Sequence, residues 1–247
     1  MRGMTMQSKA AMFLLGASLA LGFALSSYML SSAIIKFKKD EMIRVKGSAS
    51  QMVKSDFGIW EGSIVVRSPE LATAHDALAA AKPKLEAFVK AAGFEQSEFN
   101  FDRIIIREEY ARDAKGNLLN RIENYVLTQG VNVSSAKVEQ IEKLSRSFTE
   151  LIKDGIYVNA QSPAFIVTKL DQYKMDLLAK ATKNGYERAQ VLAGSSGGNV
   201  GQLVSASQGV FQITRPASGE LSDEGEYDKS TIEKEVKAVV TLEFSIK

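Results

Sequence analysis

The sequence predicts an α+β fold: antiparallel sheet with helices packed on it, carried behind an N-terminal transmembrane helix. Three observations lead there. Ala10 to Ile35 is a run of 26 residues without a charge, longer than the ~20 apolar residues that cross a bilayer as a helix. Several pairs of strand-like segments follow one another with no helix between them, which suits antiparallel pairing and not a doubly wound parallel sheet. From Ile232 onward the even positions are apolar, with Lys234 the exception, and the odd ones polar, with Val239 the exception. That alternation marks a long strand with one face on a core and one in water.

In order, residues 1–9 read as a cytoplasmic N-terminus, 10–35 as an uncleaved signal anchor, 36–41 as a juxtamembrane linker and 42–247 as the α+β domain. Within the span Gly16, Ala20 and Ala24 lie four apart. Such a stripe lets two membrane helices approach closely, although small residues are common in membrane helices without that role. A cleavable signal peptide is the competing reading, and Ser31-Ser32-Ala33 supplies small residues for a cut. Its apolar stretch, however, runs only about 7–15 residues. The basic residues after the span, Lys36, Lys38, Lys39, Arg44 and Lys46, outnumber Arg2 and Lys9 before it. The positive-inside rule would then hold the domain in the cytoplasm, but long domains translocate largely regardless of flanking charge. The domain is therefore expected outside, in the periplasm, with the N-terminus cytoplasmic.

Met42–Lys46 and Val53–Arg67 read as strands, the second with Gly58, Trp60, Gly62, Ile64 and Val66 on one face. Ser68-Pro69-Glu70 reads as a helix start with Ser68 as cap. Apolar residues at Leu71, Ala74, Leu78, Ala81, Leu85, Phe88 and Ala92 keep helical spacing to Gly93. Pro83 predicts a bend near Ala79 or, alternatively, two shorter helices. Glu98–Ala111 and Leu118–Ser134 read as strands joined by a turn-rich hairpin, 112–117. Ser135–Lys153 is a second helix with Val138, Ile141, Leu144, Phe148 and Leu151 inward. A strand broken at Pro163, Ile156–Thr168, precedes a third helix, Asp171–Ala193, with Tyr173, Leu177, Ala181, Ala189 and Leu192 inward. Val200–Thr214 is extended, and the acidic segment Arg215–Ser230 is expected to be mobile. The order β-α-β-β-α-β-α-β-β carries a weak internal duplication.

Four stretches resemble one family. Ile43-Arg44-Val45-Lys46-Gly47-Ser48-Ala49 is similar to its opening V-x-G strand, and Ser63–Leu78 to the strand leading into its first helix. Ala181–Ala189 with Gly198-Asn199-Val200-Gly201 resembles its helix and glycine turn, and Val236–Ile246 its last strand. On these the domain is identified as a member of the SIMPL-domain proteins of bacterial envelopes. One departure is visible: Ser55-Asp56 stands where members often carry Pro-Asp. The resemblance implies an α+β fold, an envelope location, a tendency to oligomerise and, for some members, a link to stress tolerance. It implies no catalytic residues.

Composition narrows the chemistry further. Cysteine is absent, which removes thiol catalysis and thiolate metal sites. The charge of +2, from 31 basic and 29 acidic residues, is spread without a basic stripe, so no nucleic-acid partner is expected. His75 is the single histidine and reads as a surface imidazole beside the apolar stripe. Gly194–Gly201 is glycine-rich, but it runs from helix to strand and lacks the Lys-Ser/Thr of a phosphate loop, so it reads as a helix stop. Glu220, Asp223, Glu224, Glu226 and Asp228 could supply hard oxygen ligands, although the spacing is not that of an EF-hand and a solvated loop is the simpler reading. Glu108 and Glu109 are adjacent on a strand and so point to opposite faces, and Trp60, without a second Trp, reads as core or interface and not as a sugar platform. No catalytic, cofactor-binding or metal-binding residues, and hence no cofactor and no enzyme, are expected. The expected partners are the lipid bilayer, through 10–35, and further copies of the chain. The function expected is a structural, interaction or stress-protective one, and the alternative is a binding module for a small ligand or peptide held between helices and sheet.

Overall fold

The computed structural model describes residues 6–38, 42–218 and 225–247, with side chains in the first helix described from 15 to 31. That helix, α1 (Met6–Lys38), is followed by β1 (Met42–Lys54), β2 (Phe57–Ser68), α2 (Leu71–Ala91), β3 (Phe99–Phe101), β4 (Ile105–Arg112) and β5 (Leu118–Ser135). Then come α3 (Val138–Ser147), β6 (Tyr157–Ala160), β7 (Ala164–Ile166), α4 (Leu170–Ser195), β8 (Val200–Gln208), β9 (Gln212–Thr214) and β10 (Glu233–Ile246). Among the described residues no helix is both long and apolar enough to cross a membrane. The side chains of 10–14 and 32–35, part of the expected span, lie outside the described residues, and those of 15–31 are all exposed.

The fold is mixed α+β with antiparallel sheet. One sheet has the order β1-β10-β8, with β9 also on β10, and the other β3-β5-β2-β6, with β4 on β5 and β7 on β2. β2 runs antiparallel to β5 from Gly58↔Ser135 to Ser68↔Tyr125 without a register shift. The chain divides into two compact units. Unit 1 comprises 1–48, 181–209 and 239–247, and unit 2 comprises 49–180 and 210–238.

Unit 2 holds the large core. Ala74, Leu78, Leu85 and Val89 of α2, Ile141 and Leu144 of α3, and Trp60, Ile64, Val131 and Val133 of the sheet form one buried cluster. Each fully buried aliphatic side chain there contributes about 1.5–3 kcal/mol. Trp60 packs edge-on to Phe148 at 4.7 Å between centroids, and its indole N–H donates to the Gln161 carbonyl at 2.9 Å. The core reading of Trp60 holds. In β10 every even position from Lys234 to Phe244 is buried, as the alternation predicts.

Several boundaries differ from the sequence expectation, for reasons that lie far away in the chain. Val53–Arg67 is not one strand, since Ser55-Asp56 separates β1 from β2. The Asp56 carboxylate accepts the Thr168 N–H and the Thr168 hydroxyl, both at 2.7 Å, and the Ser55 N–H donates to the Ile232 carbonyl at 2.8 Å. A proline at 55 would have no such donor. Ser68 does not cap α2: it ends β2, and Glu70 is the cap residue without a side-chain cap bond. The Ser68 hydroxyl still accepts the Glu70 N–H, at 3.2 Å. α2 runs unbroken through Pro83, so the two-helix alternative is not realised. Glu98–Ala111 divides at 102–104 into β3 and β4, after a 3₁₀ turn, Gln96–Glu98. Ser135–Lys153 is α-helical only from Val138 to Ser147 and tightens to 3₁₀ from Phe148, although its five inward residues are all buried. In α4 the buried stripe ends on Ala193, while Leu192 is 54 % exposed.

The strands do not follow the order expected from the sequence. β5 lies between β4 and β2, and β10 between β8 and β1. β1, from the start of the domain, thus shares a sheet with the last strand. Of the segment expected to be mobile, 219–224 lies outside the described residues. The part after it is tied down: the Asp228 N–H donates to the Ile213 carbonyl at 2.7 Å, and the Phe165 N–H to the Lys229 carbonyl at 2.7 Å.

Candidate functional site

In unit 1, two of the stretches that carry the family resemblance meet. β1 crosses α4 at Gly47 and Gly185. A Cβ on Gly47 would overlap the Ala181 carbonyl oxygen and lie 2.5 Å from the Gly185 nitrogen; a Cβ on Gly185 would lie 2.7 Å from Leu242 Cδ1. Only glycine permits so close an approach of strand and helix backbones. Around the crossing, the Ser48 N–H donates to Asn184 Oδ1 at 3.1 Å and Arg188 donates to the Lys46 carbonyl at 3.2 Å. Tyr186 packs edge-on to Phe244 at 5.5 Å. Asn184 and Arg188 both hold the β1 backbone against α4, so the crossing is a structural joint.

Unit 2 offers a surface with unspent polar groups. On the sheet face opposite the core, the register places Glu61 beside Asn132, and Ser63 between Gly130 and Asn159. The 102–104 segment borders them, and together with Thr128 and Gln161 they line a cleft of about 180 Å³. Asp102 is fixed: its carboxylate accepts from Asn132 Nδ2 at 2.7 Å, and its carbonyl accepts from Gln129 Nε2 at 3.1 Å. A Cβ at Gly130 would run into Asp102 Oδ2, so the glycine makes room for that carboxylate. Among the described residues, the side chains of Glu61, Arg103, Thr128 and Gln161 make no hydrogen bond inside the chain. One carboxylate, one guanidinium, a hydroxyl and an amide are thus left to bind a small polar molecule. A second cleft, about 440 Å³, lies where Ala77, Ala80 and Lys84 of α2 face Val65 of β2 and Tyr157.

Two further ionic groups are held by structure. Glu98 is brought down to about 2 by the Glu95 N–H, then by Lys137 and the Ser135 hydroxyl, with Lys137 Nζ at 2.7 Å. Lys234 is wholly buried, its ammonium donating to the Thr231 carbonyl at 2.6 Å and lying 3.4 Å from Asp228 Oδ2. Burial lowers its pKa against the pull of Asp228. Burial also pushes Asp228 up, but donation from Ser230 and Thr231 and the charge of Lys234 outweigh it and hold the carboxyl well below its usual range.

The residues singled out in the sequence do not come together. His75 is exposed, its Nδ1 3.6 Å from Asp76 Oδ1, at an apolar depression with Leu71, Ile104 and Ile106. Glu108 accepts the Tyr110 hydroxyl at 2.7 Å and Glu109 pairs with Arg67 at 2.8 Å, so the two carboxylates serve different partners. Gly194–Gly201 ends α4: Gly197 has φ +82° and the Gly198 N–H closes on the Ala193 carbonyl at 3.0 Å. Of the acidic cluster, Glu220, Asp223 and Glu224 lie outside the described residues, and Asp228 is committed to Lys234. The polar cleft went unread because its members are ordinary polar-face residues on three strands until the register brings them side by side.

The chain belongs to the SIMPL family, described as a protein of unknown function (DUF541), which matches residues 43–244. No curated protein matches it. Among solved structures it is similar to a hydantoinase/carbamoylase family amidase from Burkholderia ambifaria, at 15 % identity and TM-score 0.25, covering 44 % of this chain and 28 % of that one. It thus spans less than a third of the amidase. It is also similar to the regulatory subunit of aspartate kinase from Thermus thermophilus, at 12 % identity and TM-score 0.17, covering 80 % and 88 %. A third is an uncharacterized conserved protein from Listeria innocua, at 9 % identity and TM-score 0.20, covering 80 % and 92 %. At these TM-scores the likenesses carry no argument.

Proposed function

We propose that this SIMPL protein is held in a membrane by residues 10–35, carries its α+β domain on the extracytoplasmic side, and assembles with copies of itself in a structural or stress-protective role without catalysis. The observation that carries the reading is the uncharged run from Ala10 to Ile35 directly ahead of the family domain. The commitment of the ionic groups at Glu98, Asp228 and Lys234 to local structure supports a non-catalytic role. In membranes from expressing cells, the full chain is expected to resist an alkaline wash, to dissolve in mild detergent and to be cut by protease added from outside. Its particle in detergent is expected to exceed the 26.9 kDa of one chain after correction for bound detergent. Mature protein beginning near Ser32 and released by osmotic shock would overturn the anchor, and a single-chain particle at all concentrations would overturn self-assembly.

The unspent groups around Glu61, Arg103 and Gln161 favour a second reading, a binding module for a small polar or zwitterionic ligand. A panel of sugars and amino acids is then expected to include one that raises the melting temperature without altering particle size. Glu61→Gln with Arg103→Ala is expected to erase that rise. A panel with no stabilising member counts against this reading.

A further inference from the structure

The anchor proposed above leaves one end of unit 1 little freedom. The uncharged run stops at Ile35, α1 stops at Lys38, and β1 starts at Met42. Four Cα steps separate Lys38 from Met42, at most about 15 Å when fully extended. With the run in lipid, Lys36 and Lys38 lie at headgroup level and β1 begins just above it. Other parts of unit 1 come to the same end of the sheet. Arg44 of β1 pairs with Glu243 of β10. A few residues on, Ile246 pairs with Val200 of β8, and Lys247 and Asn199 exchange backbone hydrogen bonds, both at 2.8 Å. A Cβ on Gly198 would lie 2.9 Å from Ile246 Cγ2. The glycine turn that closes α4 therefore stands at the end of the sheet where β1 begins.

The chemistry of this end suits lipid. From Arg188 to Ser218 the sequence contains no acidic residue, and the Glu243 carboxylate is taken up by Arg44. The junction carries Lys36, Lys38 and Lys39 against Asp40 and Glu41. Val191 and Leu192, near the end of α4, are 69 % and 54 % exposed, although Ala189 and Ala193 on either side of them are buried. With Glu187 and Arg188 they line a shallow depression of about 420 Å³, and Glu187 is the last acid before the glycine turn. Exposed apolar side chains beside cations, with few free carboxylates, are what an interfacial surface presents to a bilayer, whose anionic headgroups attract bases and repel acids.

We infer that this end of unit 1, the last turns of α4 and the glycine turn to Asn199, seats on the headgroups of the bilayer that holds α1, with Val191 and Leu192 in the interface. The inference rests on the anchor reading and adds which surface of the domain meets lipid. The test uses the full chain in vesicles of phosphatidylethanolamine and phosphatidylglycerol. The chain has no cysteine of its own, so Leu192→Cys, Asn199→Cys and Gln208→Cys each carry one fluorophore. Gln208 pairs with Val240, further back along β10 from the Ile246–Val200 pair. A nitroxide on the lipid headgroup is expected to quench the labels at 192 and 199 at least about threefold more than the label at 208, which lies about 20 Å away along the strand. Val191→Glu with Leu192→Glu alters exposed positions only. It is expected to cut the quenching at Asn199→Cys by about half or more, because carboxylates are driven from an anionic surface. Chain present in the vesicles with all three labels quenched alike, or with Asn199→Cys indifferent to the two glutamates, overturns the seating and leaves the anchor standing. Labels shielded from iodide yet untouched by the lipid nitroxide put a second copy on this surface and overturn the seating as well. A chain that does not enter the vesicles overturns the anchor and the seating together.

Discussion

Gly47→Ala is expected to cost on the order of 3 kcal/mol or more of stability, the largest effect of any glycine-to-alanine change among the described residues. The added carbon would enter the space of the Ala181 carbonyl oxygen and the Gly185 backbone nitrogen. Neither is the end of a flexible side chain, so β1 and α4 must separate. For a domain of this size, about 2–4 °C of melting temperature accompanies each kcal/mol, so a fall of roughly 10 °C follows. Gly194→Ala is the control. It is also in α4, but a Cβ there meets nothing within 4 Å, and alanine in a helix is favoured by about 0.5–1 kcal/mol over glycine. Its melting temperature is expected to hold or rise. Should Gly47→Ala melt with the parent protein, strand and helix do not cross at these glycines.

The second large effect is at Lys234. Replacing it by Met keeps the volume of a wholly buried side chain but leaves the Asp228 carboxylate in a largely enclosed place without its cation. Breaking one side of a buried pair typically costs about 3–5 kcal/mol. Adding Asp228→Asn is expected to recover part of that cost, since the uncompensated charge leaves with its partner. Denaturant midpoints of the parent, both single variants and the double variant decide it; additive losses would show that the two groups do not interact. A pH dependence follows from the Asp228 carboxyl, which is held below the 3.8 of a free Asp. The unfolded chain therefore binds a proton there more readily than the folded one. The stability from Asp228 is present in full above the unfolded value and drains away as pH falls through the folded one. Asp228→Asn is expected to flatten that part of the acid limb of stability.

Periodic features were legible in the sequence. The even positions of β10 and the stripe Ala74, Leu78, Ala81, Leu85 of α2 are buried as their spacing requires, because one face of an element is decided by residues within that element. What was not legible depends on residues distant in the chain. The break at Ser55-Asp56 is set by Thr168 and Ile232, and nothing within β1 or β2 announces it. Lys234 was visible as a fault in the alternation, but its partner sat in a segment that read as solvated. The joint at Gly47 and Gly185 was present as two separate family motifs; that they touch is known only from the fold. The end of the α4 stripe on Ala193 in place of Leu192 belongs with it, since a helix lying close to its neighbour needs small residues on that side. The polar cleft depends on the register of three strands, which no single strand encodes.

The course of the backbone through the two units restricts what can be cut from this protein. β1, α4 and β10 each pass from one unit into the other, near Ser48, Lys180 and Ala238. Neither unit is therefore one contiguous stretch of the chain. A fragment ending at Lys180 loses Ile232, the acceptor for the Ser55 N–H, together with the Asp228–Lys234 anchor. Trimming the last nine residues strips a strand from the half of the molecule that the first residues of the domain also build. Proteolytic nicking is accordingly expected to leave the pieces associated, and recombinant fragments are expected to need co-expression of their missing partner to become soluble.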